Sequence, residues 1–344
     1  MPKREHDRIR SADSAMRKKE TKSMYKNFME KEIDIVALGE LLIDFTEAGR
    51  SSSGKKLFEQ NPGGAPANCL AACARLGGKS AIIAAIGNDF FGKFLKRKAD
   101  EINIDTKWVQ TSSENTTLVF VSVDDAGERD FAFIRNPGAD TQIRLGTEEE
   151  NLIQRTKILH FGTLSLTHNP AYTATRQAVA CAKSNNVLVS FDPNYREALW
   201  KSCSEAKEQI LWGLSVADIV KMSEDELNLA TDCGHDINAG MQQILSLGPK
   251  EIYVTAGSKG AYFANVSQHG FTEAYCVNAI DTTGCGDAFM GAILYQKCYQ
   301  PQKNIVERTI MANAAGAICA TRPGGMCAMP TAQEVDMFIN DNKC

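Results

Sequence analysis

The sequence predicts an α/β fold: a mostly parallel central sheet wrapped by helices, with a small antiparallel sheet projecting from it. Three observations carry that reading. From residue 33 onward, short apolar runs that end in glycine or a polar residue alternate with stretches of helical spacing. Strands alternating with helices call for layered α/β architecture with right-handed crossovers. Two regions, 41–46 and 117–135, break the rhythm, alternating apolar and polar residues with no helix between them. They suit a small sheet outside the doubly wound core, with Asp125-Ala-Gly127 as a hairpin turn.

Taken in order, residues 1–31 are charged and poor in large apolar side chains, as expected of a disordered arm or a short exposed helix. The remaining chain, 32–344, reads as one domain. Residues 33–39 (Ile-Asp-Ile-Val-Ala-Leu-Gly) form a buried parallel strand. Residues 67–76 have helical spacing and stop at Gly77-Gly78. A strand over 80–86 and a helix over 90–102 follow. Further strands fall at 158–161, 187–191, 218–220 and 252–255, separated by helices at 172–183, 204–214, 224–231 and 239–247. The segment after residue 286 turns helical again.

Composition narrows the function. A chain of 344 residues, 43% hydrophobic, can bury one large core or two modest ones. A net charge of −4 with both signs scattered offers no nucleic-acid or membrane surface. No apolar run reaches membrane-spanning length, and the basic N-terminus lacks the apolar core of a secretory signal. Eleven cysteines without a C-x-x-C pair point to free thiols in a reducing cytosol. The five histidines are scattered, so a zinc site is not expected. No G-x-x-x-x-G-K-[ST] string occurs, which closes the P-loop route to ATP. No G-x-G-x-x-G follows the first strand, which removes the main support for a dinucleotide-dependent dehydrogenase.

The chemistry concentrates in Asp281-Thr-Thr-Gly-Cys-Gly-Asp287, where Gly284, Cys285 and Gly286 feed a helix with a carboxylate in its first turn. Backbone N–H groups without intrahelical partners, beside the positive end of the helix dipole, bind an anion. A carboxylate there would repel a resting phosphate, so it needs a reason, and general-base work on an attacking hydroxyl is one. The alternative is a structural N-cap. Taken alone, the cap is the reading to prefer.

The string Asp281-Thr-Thr-Gly-Cys-Gly-Asp287-Ala-Phe289 resembles the C-terminal signature of the ribokinase-like (PfkB) carbohydrate kinases, usually written with Ala where this chain has Cys285. Asn61-Pro-Gly-Gly-Ala-Pro-Ala-Asn68 resembles that family's N-terminal di-glycine motif. The two stand in the expected order, and the resemblance runs over residues 33–340 in segment order. It implies a ribokinase-like three-layer α/β/α sandwich whose β lid is formed by about 41–60 and 115–136. In many relatives the lid is also the dimer contact, so a homodimer through the lid is expected.

The activity implied is transfer of the γ-phosphate of ATP to a sugar hydroxyl, a phosphotransferase with an alcohol acceptor. Such transfer needs donors for the moving charge, a metal bridging the phosphates and a base for the acceptor. By resemblance, Asp287 is the base, and the amides of Gly284, Cys285, Gly286 and Asp287 form the anion hole. Cys285 is otherwise a buried small residue. Ser223-Glu-Asp-Glu226 resembles the family's Asn-x-x-Glu motif, which would let Glu226 orient waters of a Mg²⁺ shell. The same residues also make a capping box, and both roles are compatible. Lys221, at the end of the preceding strand, is either a phosphate contact or a solvated lysine.

By position, Thr255, Gly257 and Gly260 would line the phosphates and ribose, and Asn313 and Gly316 the adenine. A monovalent cation, K⁺ in many relatives, would sit on the Asp281 carboxylate with backbone near Thr283 and Gly325. For the acceptor, Asp44 would hold sugar hydroxyls, with Asn68 and the backbone of Gly63 and Gly64 completing the cradle. Asp192-Pro-Asn-Tyr-Arg196 resembles a string common in fructokinases, making Asn194 and Arg196 candidate substrate or phosphate contacts; a salt-bridged structural arginine is the alternative. Arg135, at the end of the lid hairpin, would reach over the sugar on closure. Fructose phosphorylated at its 6-hydroxyl is the first expectation for the acceptor. 2-Keto-3-deoxygluconate, ribose, a riboside, or a non-catalytic sugar-binding relative are the alternatives.

Overall fold

The computed structural model describes residues 28–123 and 129–342. The expectations for residues 1–27 and for the turn at 125–127 lie outside the described residues.

Strand β1 (Ile33–Leu38) opens the core and leads into a four-stranded excursion that begins with β2 (Leu42–Arg50) and β3 (Lys56–Gly63). Helix α1 (Ala65–Arg75), β4 (Ser80–Gly87), α2 (Phe90–Glu101), β5 (Ile104–Asp105) and β6 (Val109–Ser112) return to the core. The hairpin β7 (Leu118–Val123) and β8 (Arg129–Ile134) completes the excursion. Then α3 (Thr147–Gln154), β9 (Thr156–Phe161), α4 (Ala171–Ser184), β10 (Leu188–Phe191), α5 (Cys203–Val216) and β11 (Ile219–Ser223) alternate regularly. Helices α6 (Glu224–Ala230) and α7 (Ile237–Leu247) precede β12 (Glu251–Thr255), β13 (Gly260–Asn265) and β14 (His269–Glu273). Three helices close the chain: α8 (Cys285–Tyr299), α9 (Ile305–Ala320) and α10 (Ala332–Asp341).

The central sheet runs β14-β13-β12-β11-β10-β9-β1-β4-β5, with β6 also on β4. From β12 to β4 every pairing is parallel, as in Val36 opposite Ala81 and Leu38 opposite Phe161. Only the β12-β13-β14 edge turns antiparallel. Successive side chains of a strand face opposite ways, and both faces are covered. Ile35 and Ala37 join a core with α1, α2, α8, α9 and α10, while Val36 and Leu38 join one with α3 to α7. The result is the three-layer α/β/α sandwich. The second sheet, β3-β2-β7-β8, consists of two antiparallel hairpins joined by a parallel pairing of β2 with β7.

Sequence reasoning placed most core elements within a few residues. The strand expected at 218–220 extends to Ser223, and the helix expected at 67 begins at Ala65, with Pro66 in its first turn. The β13-β14 hairpin and α3 had no expectation. No helix among the described residues is long and apolar enough to cross a membrane.

Two close approaches set the site. Gly291 of α8 lies against α1: a β-carbon there would come within 2.5 Å of both Ala72 Cβ and the Cys69 carbonyl. One helical turn earlier on each helix stand Asp287 and Asn68, brought together by that crossing. The second is the start of α8, where Gly284 takes φ 81° as N-cap. Only glycine adopts that conformation without strain.

Candidate active site

The carboxyl ends of the parallel strands face one side of the sheet, the edge where α/β folds bind ligands. Two cavities open there. One of about 240 Å³ lies between the strand ends and the second sheet. The other, about 440 Å³, lies between the β12-β14 edge and helices α8 and α9. Both are walled by Thr282 and Gly286, so the loop before α8 is their common boundary.

Asp287 occupies the third position of α8 and lines the smaller cavity. It is not the helix cap: Gly284 is, with no side-chain cap, and the Asp287 carboxylate instead accepts Asn68 Nδ2–H at 2.8 Å. Burial pushes its carboxyl up to about 6, with Asp192 adding, while Lys221, the Asn68 bond and Arg196 act the other way. A carboxylate ionised at neutral pH yet far more basic than usual suits a general base. Of the four amides expected in the anion hole, that of Cys285 is turned inward to the Thr282 carbonyl at 3.3 Å. That corrects its place in the set. Among the described residues the amides of Gly284, Gly286 and Asp287 have no protein acceptor, as the first turn of a helix dictates.

Lys221 projects from β11 beneath this loop. Its Nζ bonds Asp192 Oδ2 at 2.9 Å, and a β-carbon on Gly286 would come within 2.7 Å of the same nitrogen. Burial disfavours its charge, but Asp192, Glu226 and Asp287 outweigh that and hold its pKa above the ordinary lysine value. It is a buried, permanently charged ammonium beside the open amides, and it lines the smaller cavity rather than solvent.

On the other side of that cavity stands Asp44 of β2. Burial, with Asp287 and Asp281, pushes its carboxyl up to about 7 against the pull of Arg196. Gly63 lies against its Oδ2, where any β-carbon would collide; Gly64 and Asn68 line the cavity. Asn194 and Arg196 also line it. Asn194 adopts φ 44°, uncommon outside glycine, as the chain turns sharply after β10. The Arg196 guanidinium rests over the Phe131 ring of the second sheet, 5.6 Å from its centroid. Val119, Val121, Phe131 and Phe133 of that sheet roof the cavity, so the sheet is placed as a lid.

Arg135 departs from expectation. Its side chain is 2% exposed and paired with Asp140 at 2.6 Å, and it also donates to Thr167 Oγ1 at 2.8 Å and to the Leu164 carbonyl at 3.0 Å. It anchors the end of β8 to the core, each of its three nitrogens holding a protein acceptor, and it does not line the cavity.

The larger cavity gathers Thr255, Gly257, Gly260, Asn313 and Gly316, as expected from position. Asn313 is mainly a builder of the wall: its Nδ2 donates to Thr272 Oγ1 at 3.0 Å and to the Glu273 carbonyl at 3.0 Å, tying α9 to β14. Gly316 keeps the floor open, since a β-carbon would meet the Cys285 carbonyl at 3.3 Å. Sequence reasoning missed Tyr275, Val277, Ala279 and Phe289, which make the remaining wall apolar. The signal was the apolar run 274–280 just before Asp281.

Glu226 forms the capping box with Ser223, whose N–H its Oε2 accepts at 2.8 Å, while Oε1 accepts the Tyr195 N–H at 2.7 Å. It thereby ties α6 to the Asp192–Arg196 turn. Asp281 is buried and accepts the N–H groups of Thr283 at 2.9 Å and Gly324 at 3.1 Å. Thr283 and Gly325 thus belong to one loop cluster with it, Gly325 packing against Gly284. Its donors are all hard oxygens, a set suited to a hydrated or alkali cation.

Residues 32–332 match the family model described as pfkB family carbohydrate kinase. Fructokinase-1 of Zea mays is 39% identical over 313 residues, covering 89% of this chain and 97% of that protein. Among solved structures, the fructokinase of Xylella fastidiosa with bound ATP superposes with a TM-score of 0.79 at 30% identity, covering 90% of this chain and 99% of that one. A fructokinase double mutant from Vibrio cholerae O395, bound to fructose, ADP and potassium, gives 0.80 at 32% identity, covering 90% and 99%. A family match across most of the chain, on a fold whose strand ends hold a basic carboxyl beside open helix amides, makes this protein a member of the pfkB family of carbohydrate kinases.

Proposed function

We propose that the chain is an ATP-dependent fructose kinase forming fructose 6-phosphate and ADP. The observation that supports it most is Asp287, a buried carboxyl pushed up to about 6 in a polar cavity, next to Gly286, which that cavity shares with a larger apolar one. Fructose occupies the smaller cavity with its hydroxyls on Asp44 and Asn68; ATP occupies the larger, its γ-phosphate at the Gly286 boundary. Asp287 takes the proton of the attacking 6-hydroxyl as the new O–P bond forms. The bond from Pγ to the bridging oxygen breaks, and ADP leaves with that electron pair. The amides of Gly284, Gly286 and Asp287 and the Lys221 ammonium meet the charge on the migrating phosphoryl group. The lid aromatics keep out water, which would otherwise accept the group.

Glu226, whose oxygens each accept one amide and keep a second lone pair, would hold waters of a Mg²⁺ shell, and Asp281 with the Thr283 and Gly325 backbone would hold K⁺. Bound metal supplies neutralisation of phosphate charge. The lid's outer surface exposes Leu57, Phe58 and Ile134, at 45%, 37% and 58%, which supports a homodimer through the lid. The ten described cysteines are all unpaired, in keeping with a reducing cytosol.

A coupled ADP-release assay over fructose, ribose, 2-keto-3-deoxygluconate and a purine riboside, with and without potassium, tests the assignment. Fructose should give the highest kcat/KM. Faster turnover of any other acceptor would overturn the substrate, and ADP release independent of sugar would overturn the kinase.

A further inference from the structure

Glu40 is a buried carboxyl that takes no part in the steps above. It follows Gly39 at the end of β1, where the backbone is pressed against the Gly64–Pro66 turn: a β-carbon on Gly39 would come within 2.6 Å of Pro66 Cγ. The residue is 2% exposed and lines the acceptor cavity. Its Oε1 accepts the N–H of Ala65, the first residue of α1, at 3.0 Å. Its Oε2 is buried and has no hydrogen-bond partner among the described residues.

Eight buried side-chain polar atoms are in that condition, and two of them, Glu40 Oε2 and Asn68 Oδ1, belong to residues lining this one cavity. Leaving a buried polar atom unpaired is costly, and native folds resolve it with a partner. A polyhydroxylated ligand in the cavity supplies one. The charges acting on Glu40 are Asp140 and Arg135, whereas those on Asp287 are Asp192, Lys221 and Arg196. The two carboxyls therefore line one cavity with different charged neighbours.

We propose that Glu40 is a specificity-determining residue of the acceptor site, its Oε2 hydrogen-bonded to a sugar hydroxyl other than the one phosphorylated. The inference rests on the sugar-kinase reading of the cavity, not on fructose being the sugar. Acting on Glu40 are the Ala65 amide from α1, its own backbone N–H, Asp140 from the short turn Ala139–Gln142 and Arg135 from the end of β8, while Asp44 and Asn68 line the same cavity. Burial, with Asp140, pushes the carboxyl up to about 8. It is then neutral at pH 7, its O–H donates to a sugar oxygen, and that donor is lost above pH 8.

The test measures kcat/KM for the best acceptor and its monodeoxy analogues, using wild type, Glu40→Gln and Glu40→Leu. Wild type should discriminate against one analogue by about 10- to 100-fold. Glu40→Leu should lose a similar factor on the parent sugar while discriminating against that analogue by less than about threefold. Wild type should lose kcat/KM above pH 8; Glu40→Gln, which still offers a donor, should keep the discrimination and not show that fall. Unchanged discrimination in Glu40→Leu would overturn the proposal. Should that variant not fold, an alkaline fall persisting in Glu40→Gln would overturn it. If fructose is not the best acceptor, only the substrate assignment falls, and the test proceeds on the sugar that is.

Discussion

Asp287→Asn removes the proposed base while nearly preserving shape. Its side-chain oxygen still accepts from Asn68 Nδ2, so the 2.8 Å link between α1 and α8 survives. The carboxyl of Asp287 titrates near 6, pushed there chiefly by burial. In wild type it is therefore about 97% ionised at pH 7.5 and about one-tenth ionised at pH 5, so kcat/KM should fall roughly tenfold between them. The variant should lose about 10²- to 10⁴-fold at pH 7.5 and show little of that acid limb.

Stability should move the opposite way. Because the folded carboxyl titrates at about 6 instead of the ordinary 3.8, the native state is penalised wherever Asp287 is ionised. The penalty is full above pH about 6 and absent below about 4, where both states are protonated; its size is of order 3 kcal/mol. Asparagine removes it, so the variant should melt several degrees higher at pH 7.5 and no higher at pH 4. The assay is ADP release from pH 5 to 9 beside thermal melts. Activity within about fivefold of wild type, or an unchanged acid limb, would refute the base. Asp44 titrates nearby, at about 7, and the two carboxyls couple. Asp44→Asn separates them, since it should raise the acceptor KM more than it lowers kcat.

Further outcomes follow from the same contacts. Arg135→Ala should destabilise the protein by about 3–5 kcal/mol by leaving Asp140 buried and unpaired, with acceptor KM changed less than about threefold in the folded fraction; a large KM effect at unchanged melting temperature would return Arg135 to the ligand. Gly316→Leu should raise the KM for ATP by about tenfold or more, because the side chain fills the larger cavity, and leave the acceptor KM alone. Gly291→Leu should force α1 from α8 at a cost of about 1–3 kcal/mol and cut kcat by parting Asn68 from Asp287; a folded variant with wild-type kcat would show that this crossing does not set the site. A bulky thiol reagent should inactivate by modifying Cys285 or the more exposed Cys276, both of which line the larger cavity, and ATP should protect; Cys276→Ser tells the two apart.

The core was legible because its signal is local. The apolar run of β1 and the Gly-x-Gly-Asp turn before α8 each state their structure in a few neighbouring residues. The boundary between the cavities is legible too, since Thr282 and Gly286, which line both, fall within the contiguous run 281–287. What sequence concealed depends on distant partners. Arg135 reads as a lid arginine until Asp140, Thr167 and the Leu164 carbonyl are seen to engage it. Glu40 gave no signal, because an acidic residue after a strand is unremarked until both its burial and its unpaired oxygen are known. The Cys285 amide was counted among the open donors because its inward turn to Thr282 is set by the αL conformation of Gly284, which composition alone does not reveal.

The most direct measurement is ³¹P and ¹H NMR of the products after mixing the protein with fructose, ATP and Mg²⁺. The account requires one fructose 6-phosphate for each ADP, both forming about 10²- to 10⁴-fold more slowly in Asp287→Asn. Phosphate on another carbon, or inorganic phosphate accumulating in step with ADP, would contradict it.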